Sequence, residues 1–209
     1  MIKALLLIFD PVRSWERVVR AQRSLIFILL VSLLPLVVLS CVAEAYGLAT
    51  WGKWQGEVVH LQSFSRQEII SYEALQFLTS LFLVFMGAKL LKSLGETFHG
   101  RHTYTAAFTV TAYSLSPLFL LRVLDAVPGM PLWITWTIAI VLSVGVLYQG
   151  VPRVMQPDLP HAFGLFLTSA LLLVLTSGLA RFVTAWWLQG KFKKVETFLY
   201  DLVARMTGS

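Results

Sequence analysis

The stretch AYSLSPLFLL, Ala112–Leu121, is apolar enough for a membrane-spanning helix, yet a proline lies in the middle of it. Proline lacks a backbone N–H, and its ring clashes with the carbonyl group four residues earlier, which here belongs to Tyr113. Because lipid offers no hydrogen bonds, we expect Pro117 to kink the helix and polar groups on neighbouring helices to bond the freed Tyr113 carbonyl. The stretch therefore predicts a packed bundle of helices rather than a lone helix in lipid.

The composition of the 209-residue chain indicates a membrane protein. Hydrophobic residues make up 57% of it and charged residues only 13%, whereas soluble domains average about 25% charged residues. The net charge of +6 does not indicate nucleic-acid binding, because the basic residues adjoin hydrophobic segments, where such charges usually set topology and contact anionic lipid. The single cysteine excludes an internal disulfide and a metal site built from several cysteines.

Five segments come close to the roughly 20 apolar residues that a bilayer-spanning helix needs. Together they predict an all-α integral membrane domain over residues 24–188, a bundle of five transmembrane helices. Ser65 and Glu68 have the spacing of a capping box, which places the start of the second helix near Arg66. Pro152, Pro157 and Pro160 predict an extended fourth loop. The predicted spans are Ser24–Ala43, Tyr72–Leu91, Thr105–Leu124, Leu132–Gln149 and Ala162–Leu188.

Amphipathic segments flank the five spans. Residues 1–23 form a lead-in with two short helices, over 2–9 and 11–23, and Pro11 suits the first turn of the second. Residues 189–209 predict either a second interfacial helix or a continuation of the fifth span. In the second helix an apolar face with Trp15 would turn towards lipid, and four arginines would contact anionic headgroups: Arg13, Arg17, Arg20 and Arg23.

Basic and aromatic residues indicate the orientation. The basic residues before the first span usually dominate, which places the N-terminus in the cytoplasm. The Lys and Arg counts on the two sides are nearly equal, and the basic tail then falls outside. Tryptophan prefers membrane interfaces, and a five-span arrangement puts six tryptophans at the outer one: Trp51, Trp54, Trp133, Trp136, Trp186 and Trp187.

The sequence lacks enzyme motifs. It contains no GxSxG, HExxH, P-loop or glycine-rich dinucleotide turn, and we expect no catalytic activity, cofactor or metal. His99 and His102 have a spacing that metal sites use, but no further ligand accompanies them. The charges of the spans lie near the span ends, where long side chains can reach the headgroups: Glu44, Glu73, Lys89, Arg122, Asp125 and Arg181.

One polar site within the spans is a candidate for function. Tyr113, Ser114 and Ser116 adjoin Pro117, and the fourth and fifth spans add small and polar residues that could face them. Such residues serve either helix packing or a substrate path, and packing is the favoured interpretation. The added residues are Ser143, Gly145, Tyr148, Gln149, Thr168, Ser169, Thr176 and Ser177.

Three stretches resemble the Yip domain family of multi-span membrane proteins: FDPVRSWERV from Phe9, AYSLSPLFLL from Ala112 and LYQGVPRVM from Leu147. The resemblance implies five helices, a cytosolic N-terminus and an outward C-terminus. The short chain is similar to the prokaryotic branch, which implies the inner membrane. The resemblance carries over these structural signature positions: Pro11, Tyr113, Ser114, Pro117, Tyr148, Gly150 and Pro152.

Two functions remain open. Eukaryotic members engage Rab GTPases through a polar cytosolic tail with an Asp-Leu-Tyr-Gly-Pro motif, which this chain lacks. The first function is a non-enzymatic membrane organiser that binds lipids, a partner membrane protein or a second copy of itself. The alternative is a transporter of small solutes or lipids that uses the kinked third span. Aqueous labelling of cysteines placed at Ser114 and Tyr148 separates the two, because only a water-filled path would label.

Overall fold

The computed structural model describes residues 2–55, 60–98 and 103–190. Within it, five helices are long and apolar enough to cross a membrane, which confirms the predicted five-helix fold. Each one extends beyond its predicted segment at one end or both, because a helix continues to its caps while hydropathy marks only its apolar part. The first to fifth spans are Leu25–Thr50, Arg66–Thr97, Tyr104–Ala126, Leu132–Met155 and Leu159–Leu188. Residues 191–209 of the predicted tail lie outside the described residues.

Two short helices precede the spans, α1 (Ile2–Phe9) and α2 (Pro11–Ala21). Asp10 caps α2, since its side chain accepts a hydrogen bond of 3.4 Å from the backbone N–H of Arg13. Pro11 occupies the first turn, where its missing N–H is not needed. The capped proline start is therefore as predicted.

The indole of Trp15 does not face lipid, contrary to the prediction. Its side chain is fully buried against the spans, and its Nε1–H donates a hydrogen bond of 3.0 Å to the Val146 carbonyl oxygen. The ring meets that of Tyr113 edge-on, with centroids 6.1 Å apart. A tryptophan with a bonding partner buries more surface inside the bundle than at an interface. This residue therefore docks α2 onto the third and fourth spans.

The connection between the first and second spans contains a small hairpin that the sequence did not predict. Strand β1 (Lys53–Gln55) pairs antiparallel with β2 (His60–Gln62), with Trp54 opposite Leu61. The second span then begins at Arg66 with the predicted capping box. The Glu68 N–H donates to the Ser65 hydroxyl at 3.3 Å, and the Ser65 N–H donates to the Glu68 carboxylate at 3.0 Å.

The third span is interrupted where the sequence predicted a kink. An α-helix ends at Ser114, a second runs over Ser116–Leu121, and a tighter 3-10 turn, Arg122–Ala126, completes the span. The partner of the freed Tyr113 carbonyl was predicted wrongly, because it is local. The hydroxyl of Ser116 donates to that carbonyl at 2.6 Å. The Tyr113 carbonyl at the break is thus hydrogen-bonded within the span.

The fourth span ends in a wide π-helical turn, Val151–Met155, that contains Pro152. The prediction of an extended chain is therefore wrong at this proline. Pro160 lies in the first turn of the fifth span, where a proline is compatible with a helix. The chain reverses between them at Gln156, which adopts a left-handed conformation with φ of 45°.

The third span lies at the centre of the bundle, with most of its side chains buried, and Phe108, Tyr113 and Leu115 belong to the main core. The first span packs closely against its far end at Gly47. A Cβ atom on Gly47 would lie 2.3 Å from the carbonyl oxygen of Ala126, so only glycine fits there. This close approach brings Glu44, one turn earlier, beside the charges at the end of the third span.

Candidate functional site

The signature positions gather at one contact, with one exception. Tyr113, Ser114, Ser116 and Pro117 are buried at the break of the third span. Gly150 lies against Trp15, because a Cβ atom at this position would be 2.4 Å from the indole. The capped start of α2 at Pro11 and the turn at Pro152 flank this contact. Trp15 joins these elements, although its amphipathic pattern predicts a lipid-facing side chain.

Tyr148 does not join the polar cluster. Its side chain is 54% exposed on the outside of the bundle, and its ring packs edge-on against Phe166 with centroids 5.0 Å apart. Ser114 and Ser143 are buried, and their hydroxyls have no hydrogen-bond partner among the described residues. A cavity of about 10 Å³ lies between spans two, three, four and five, and it offers roughly the room that one water needs. The geometry is that of helix packing.

A much larger cavity, of about 740 Å³, opens between α1, α2 and the first half of the third span. We call it the N-terminal cavity. Leu6, Leu7, Val18, Ile28 and Ala106 give it apolar walls. Its size lies within the range of ligand-binding cavities, about 300–1,000 Å³. An apolar ligand segment therefore has room here.

Three arginines line the N-terminal cavity: Arg17, Arg23 and Arg153. The Nε–H of Arg17 donates to the Arg13 carbonyl at 3.3 Å, and an Nη1–H of Arg153 donates to the Gln149 carbonyl at 2.8 Å. Within the described part of the chain, none of the three forms an ion pair with a carboxylate, and no Asp or Glu lines the cavity. The cavity therefore presents uncompensated positive charge beside apolar walls.

The other two arginines of α2 have carboxylate neighbours of their own. Arg13 lies 3.8 Å from Asp10, and Arg20 lies 3.4 Å from Glu16, both pairs exposed on the helix surface. Neither arginine lines the cavity. Of the four arginines that the sequence assigned to lipid headgroups, the cavity therefore includes only Arg17 and Arg23.

A second cluster lies at the opposite ends of the spans, and the sequence did not predict it. The guanidinium of Arg122 is paired with Glu44 at 3.0 Å and Glu73 at 3.2 Å, and Arg181 is paired with Asp125. All of these side chains are largely buried, with Glu44 only 1% exposed. We call these five residues and Lys53 the charge network. The expectation that these span charges reach the headgroups is wrong, because each is paired inside the bundle.

Tyrosine, glutamine and lysine side chains complete the charge network. The Tyr72 hydroxyl donates to Glu44 at 2.9 Å, and the Gln76 amide donates to that hydroxyl at 2.7 Å. The ammonium group of Lys53, on the hairpin, donates to the Asp125 carbonyl. Burial lowers the pKa of Lys53, and the carboxylates of Asp125 and Glu44 act in the opposite direction. Three acidic and three basic groups thus balance, which fits a structural clamp on the span ends.

The five-span arrangement places the charges of the network on one side of the membrane, and this placement favours their pairing. Glu44, Glu73, Arg122, Asp125 and Arg181 all fall near span ends on the same side of the membrane. Opposite charges that share one end of a bundle can pair, and pairing is the usual way to bury a charge. Hydropathy alone does not tell which face of a helix carries each charge.

Among the described residues no group of three His, Cys, Asp or Glu side chains could hold a metal, and His99 and His102 lie outside that part.

Replacing Ser116 with alanine should lower the free energy of unfolding by about 1–3 kcal/mol, because it leaves the buried Tyr113 carbonyl unbonded. In a Pro117→Ala background the new backbone N–H can bond this carbonyl, so the same substitution should cost less than about 1 kcal/mol. Thiol labelling of Cys41 reports unfolding, since Cys41 is buried and is the single cysteine.

Ser169→Ala is the matched control, because the buried Ser169 hydroxyl bonds a Leu165 carbonyl inside a continuous helix. That carbonyl keeps its backbone partner, so the control should change stability by less than about 0.5 kcal/mol. An equal cost of Ser116→Ala with and without Pro117 would show that the hydroxyl does not serve the break.

The chain is similar over most of its length to a known family of protein domains. The profile of the Yip1 domain matches residues 5–191, which include α2, all five spans and both clusters of charge. No curated protein matches the chain, and no solved structure matches it either. The matched region covers nearly the whole chain and contains the proline-broken third span and the Trp15–Gly150 contact. The chain is a multi-span membrane protein that belongs to the Yip1 domain family.

Proposed function

We propose that this protein is a non-enzymatic membrane organiser that binds an anionic phospholipid in its N-terminal cavity. The observation that supports the proposal is the joint lining of one cavity by Arg17, Arg23 and Arg153 and by apolar side chains, with no Asp or Glu among the lining residues. An anionic phospholipid has the matching chemistry, a negatively charged headgroup joined to acyl chains.

The depth of the cavity in the membrane suits a headgroup. Arg23 precedes the first span, Arg153 lies in the last turn of the fourth, and the third span begins next to the cavity at Tyr104. Span ends lie at the level of the headgroups, where arginine side chains attract anionic lipid. The apolar walls continue from this level towards the core, so an acyl chain can follow the headgroup inward.

The orientation forms part of the proposal. Basic residues near the first span favour a cytoplasmic N-terminus, and the cytoplasmic leaflet carries the negative surface potential that attracts them. The N-terminal cavity then faces the cytoplasmic leaflet, and the charge network lies at the outer ends of the spans. For a compact chain of the prokaryotic type, the membrane would be the inner membrane.

Lipid retention tests the proposal. The protein is purified in mild detergent and titrated with phosphatidylglycerol or phosphatidylcholine of the same acyl chains, and bound lipid is counted by native mass spectrometry. We expect phosphatidylglycerol to bind in preference. The double variant Arg17→Gln/Arg153→Gln should weaken its binding by about thirtyfold, because each basic group contributes roughly 1 kcal/mol.

The double variant Arg13→Gln/Arg20→Gln is the matched control, since it removes two charges from the surface of α2 outside the cavity. It should weaken binding by less than about threefold, because neither arginine lines the cavity and both already have carboxylate neighbours. Equal effects of the two double variants would contradict a cavity site and leave only diffuse attraction to the membrane surface.

The transport alternative has less support. It required a water-filled path beside the broken third span, but Ser114 and Leu115 are buried at the break. A cavity of about 50 Å³ does lie next to Arg122, Asp125 and Arg181, with room for a few waters. Aqueous labelling of Ser114→Cys in a Cys41→Ser background would favour transport, and its absence favours the packed bundle.

A further inference from the structure

We infer that the N-terminal cavity selects phospholipids whose headgroup is a phosphomonoester, such as phosphatidic acid, over those with a phosphodiester headgroup. The inference rests on the proposed function and names the lipid class. Three guanidinium groups line the cavity, and among the described lining residues no carboxylate offsets any of them.

The charge of the ligand decides between the two lipid classes. A phosphodiester such as phosphatidylglycerol brings one negative charge, whereas a phosphomonoester carries about −1.5 to −2 at neutral pH. Because three arginines line the cavity, the second negative charge of a phosphomonoester also has a positively charged group to interact with. The cavity therefore gains more from a phosphomonoester, and arginine keeps its charge throughout the accessible pH range.

The geometry of the arginine N–H donors also favours a phosphomonoester. Arginine presents its N–H groups as a planar fork that fits two phosphate oxygens. A phosphodiester has two terminal oxygens, whereas a phosphomonoester has three and is not shielded by a further alcohol. Arg17 and Arg153 are already steadied by Ser14 and by Gln149, which leaves their remaining N–H groups for a ligand. Three exposed oxygens can accept from more of these N–H groups than two can.

The apolar walls assign the phosphate to a lipid rather than to a soluble anion. Leu6, Leu7, Val18 and Ile28 line the same cavity, and a free phosphate would leave them in contact with water. Burial of an acyl chain contributes about 0.8 kcal/mol for each methylene removed from water. The hydroxyl-bearing residues Ser14, Thr103 and Tyr113 also line the cavity, beside the arginines.

A competition between two lipids of identical acyl chains tests the inference. Native mass spectrometry of the full-length protein gives dissociation constants for dioleoyl phosphatidic acid and dioleoyl phosphatidylglycerol. We expect phosphatidic acid to bind about fivefold more tightly, since its second charge meets an uncompensated guanidinium. Arg17→Gln/Arg153→Gln should reduce this ratio to below about twofold, while Arg13→Gln/Arg20→Gln should leave it near fivefold.

The possible results distinguish failure of the phosphomonoester preference from failure of anionic-lipid binding itself. Equal binding of the two anionic lipids, with both weakened by Arg17→Gln/Arg153→Gln, would overturn the phosphomonoester preference and leave anionic-lipid binding standing. If neither lipid binds better than dioleoyl phosphatidylcholine, both fail. Displacement of phosphatidic acid by inorganic phosphate at equal concentration would assign the site to a soluble phosphate and overturn the lipid assignment.

Discussion

Replacing Arg122 with leucine should lower the free energy of unfolding by about 3–5 kcal/mol, because the substitution leaves two buried carboxylates without their shared partner. Glu44 and Glu73 both lie within 3.2 Å of this guanidinium, which also approaches the Ser80 hydroxyl at 3.4 Å. Inside the bundle, unpaired carboxylates lose most of the hydration that stabilises their charge. We therefore expect a large loss of folded protein in detergent, measured as the loss of the helical circular dichroism signal on heating.

Neutralising the carboxylates should rescue the variant. When Glu44→Gln and Glu73→Gln accompany Arg122→Leu, no buried charge is left without a partner, and more than half of the lost stability should return. Lys89→Leu is the control, since Lys89 is an exposed basic residue of the second span and should change stability by less than about 0.5 kcal/mol. A triple variant that is no more stable than Arg122→Leu would contradict the assignment of the cost to unpaired charge.

Replacing Trp15 with alanine should cost about 3–5 kcal/mol, the usual loss for a large buried aromatic side chain. The indole is fully buried, contacts Tyr113 and donates its N–H to the Val146 carbonyl. Trp15→Phe keeps most of the packing and should cost less, although it gives up the hydrogen bond, worth about 1 kcal/mol. Unfolding followed by Cys41 labelling measures both.

Two glycines of the fourth span provide a matched pair for the same contact. Gly150→Ala places a methyl group 2.4 Å from the Trp15 ring, whereas nothing lies within 4 Å of a Cβ atom on Gly145. The first substitution should destabilise the protein by about 1–3 kcal/mol, and the second should be neutral or stabilising. If Trp15→Ala and Gly150→Ala had no effect, α2 would lie on the membrane away from the bundle, as its amphipathic pattern alone indicated.

The features that depend on neighbouring residues in the chain, such as spans, caps and breaks, could be predicted from the sequence. Hydropathy located the five spans, the Ser65–Glu68 spacing located the start of the second, and Pro117 marked the interruption of the third. These features follow from neighbouring residues, through the length of apolar runs, caps and the geometry of proline. The Ser116 hydroxyl that bonds the Tyr113 carbonyl lies only three residues away, but sequence spacing does not favour it over a donor on a neighbouring helix.

The sequence did not predict contacts between helices. The arginines of α2 and the charges of the spans were assigned to headgroups because hydropathy gives the depth of a residue and not its direction around the helix. Trp15 fits an interfacial pattern as well as a buried one, and only the Val146 carbonyl and Gly150 make its burial favourable. Arg153, the third arginine of the N-terminal cavity, lies far from α2 in sequence and joins it through the turn at Pro152.

Photocrosslinking with a lipid probe tests the central claim, that an anionic phospholipid occupies the N-terminal cavity. The full-length protein is reconstituted with phosphatidylglycerol that carries a diazirine in one acyl chain, and the sample is irradiated. Peptide mass spectrometry then identifies the crosslinked residues. We predict crosslinks concentrated at cavity residues such as Val18 and Ala106, and strongly reduced in Arg17→Gln/Arg153→Gln. Labelling spread evenly over exposed lipid-facing residues such as Leu171 and Leu175, and unchanged in that variant, would contradict the account.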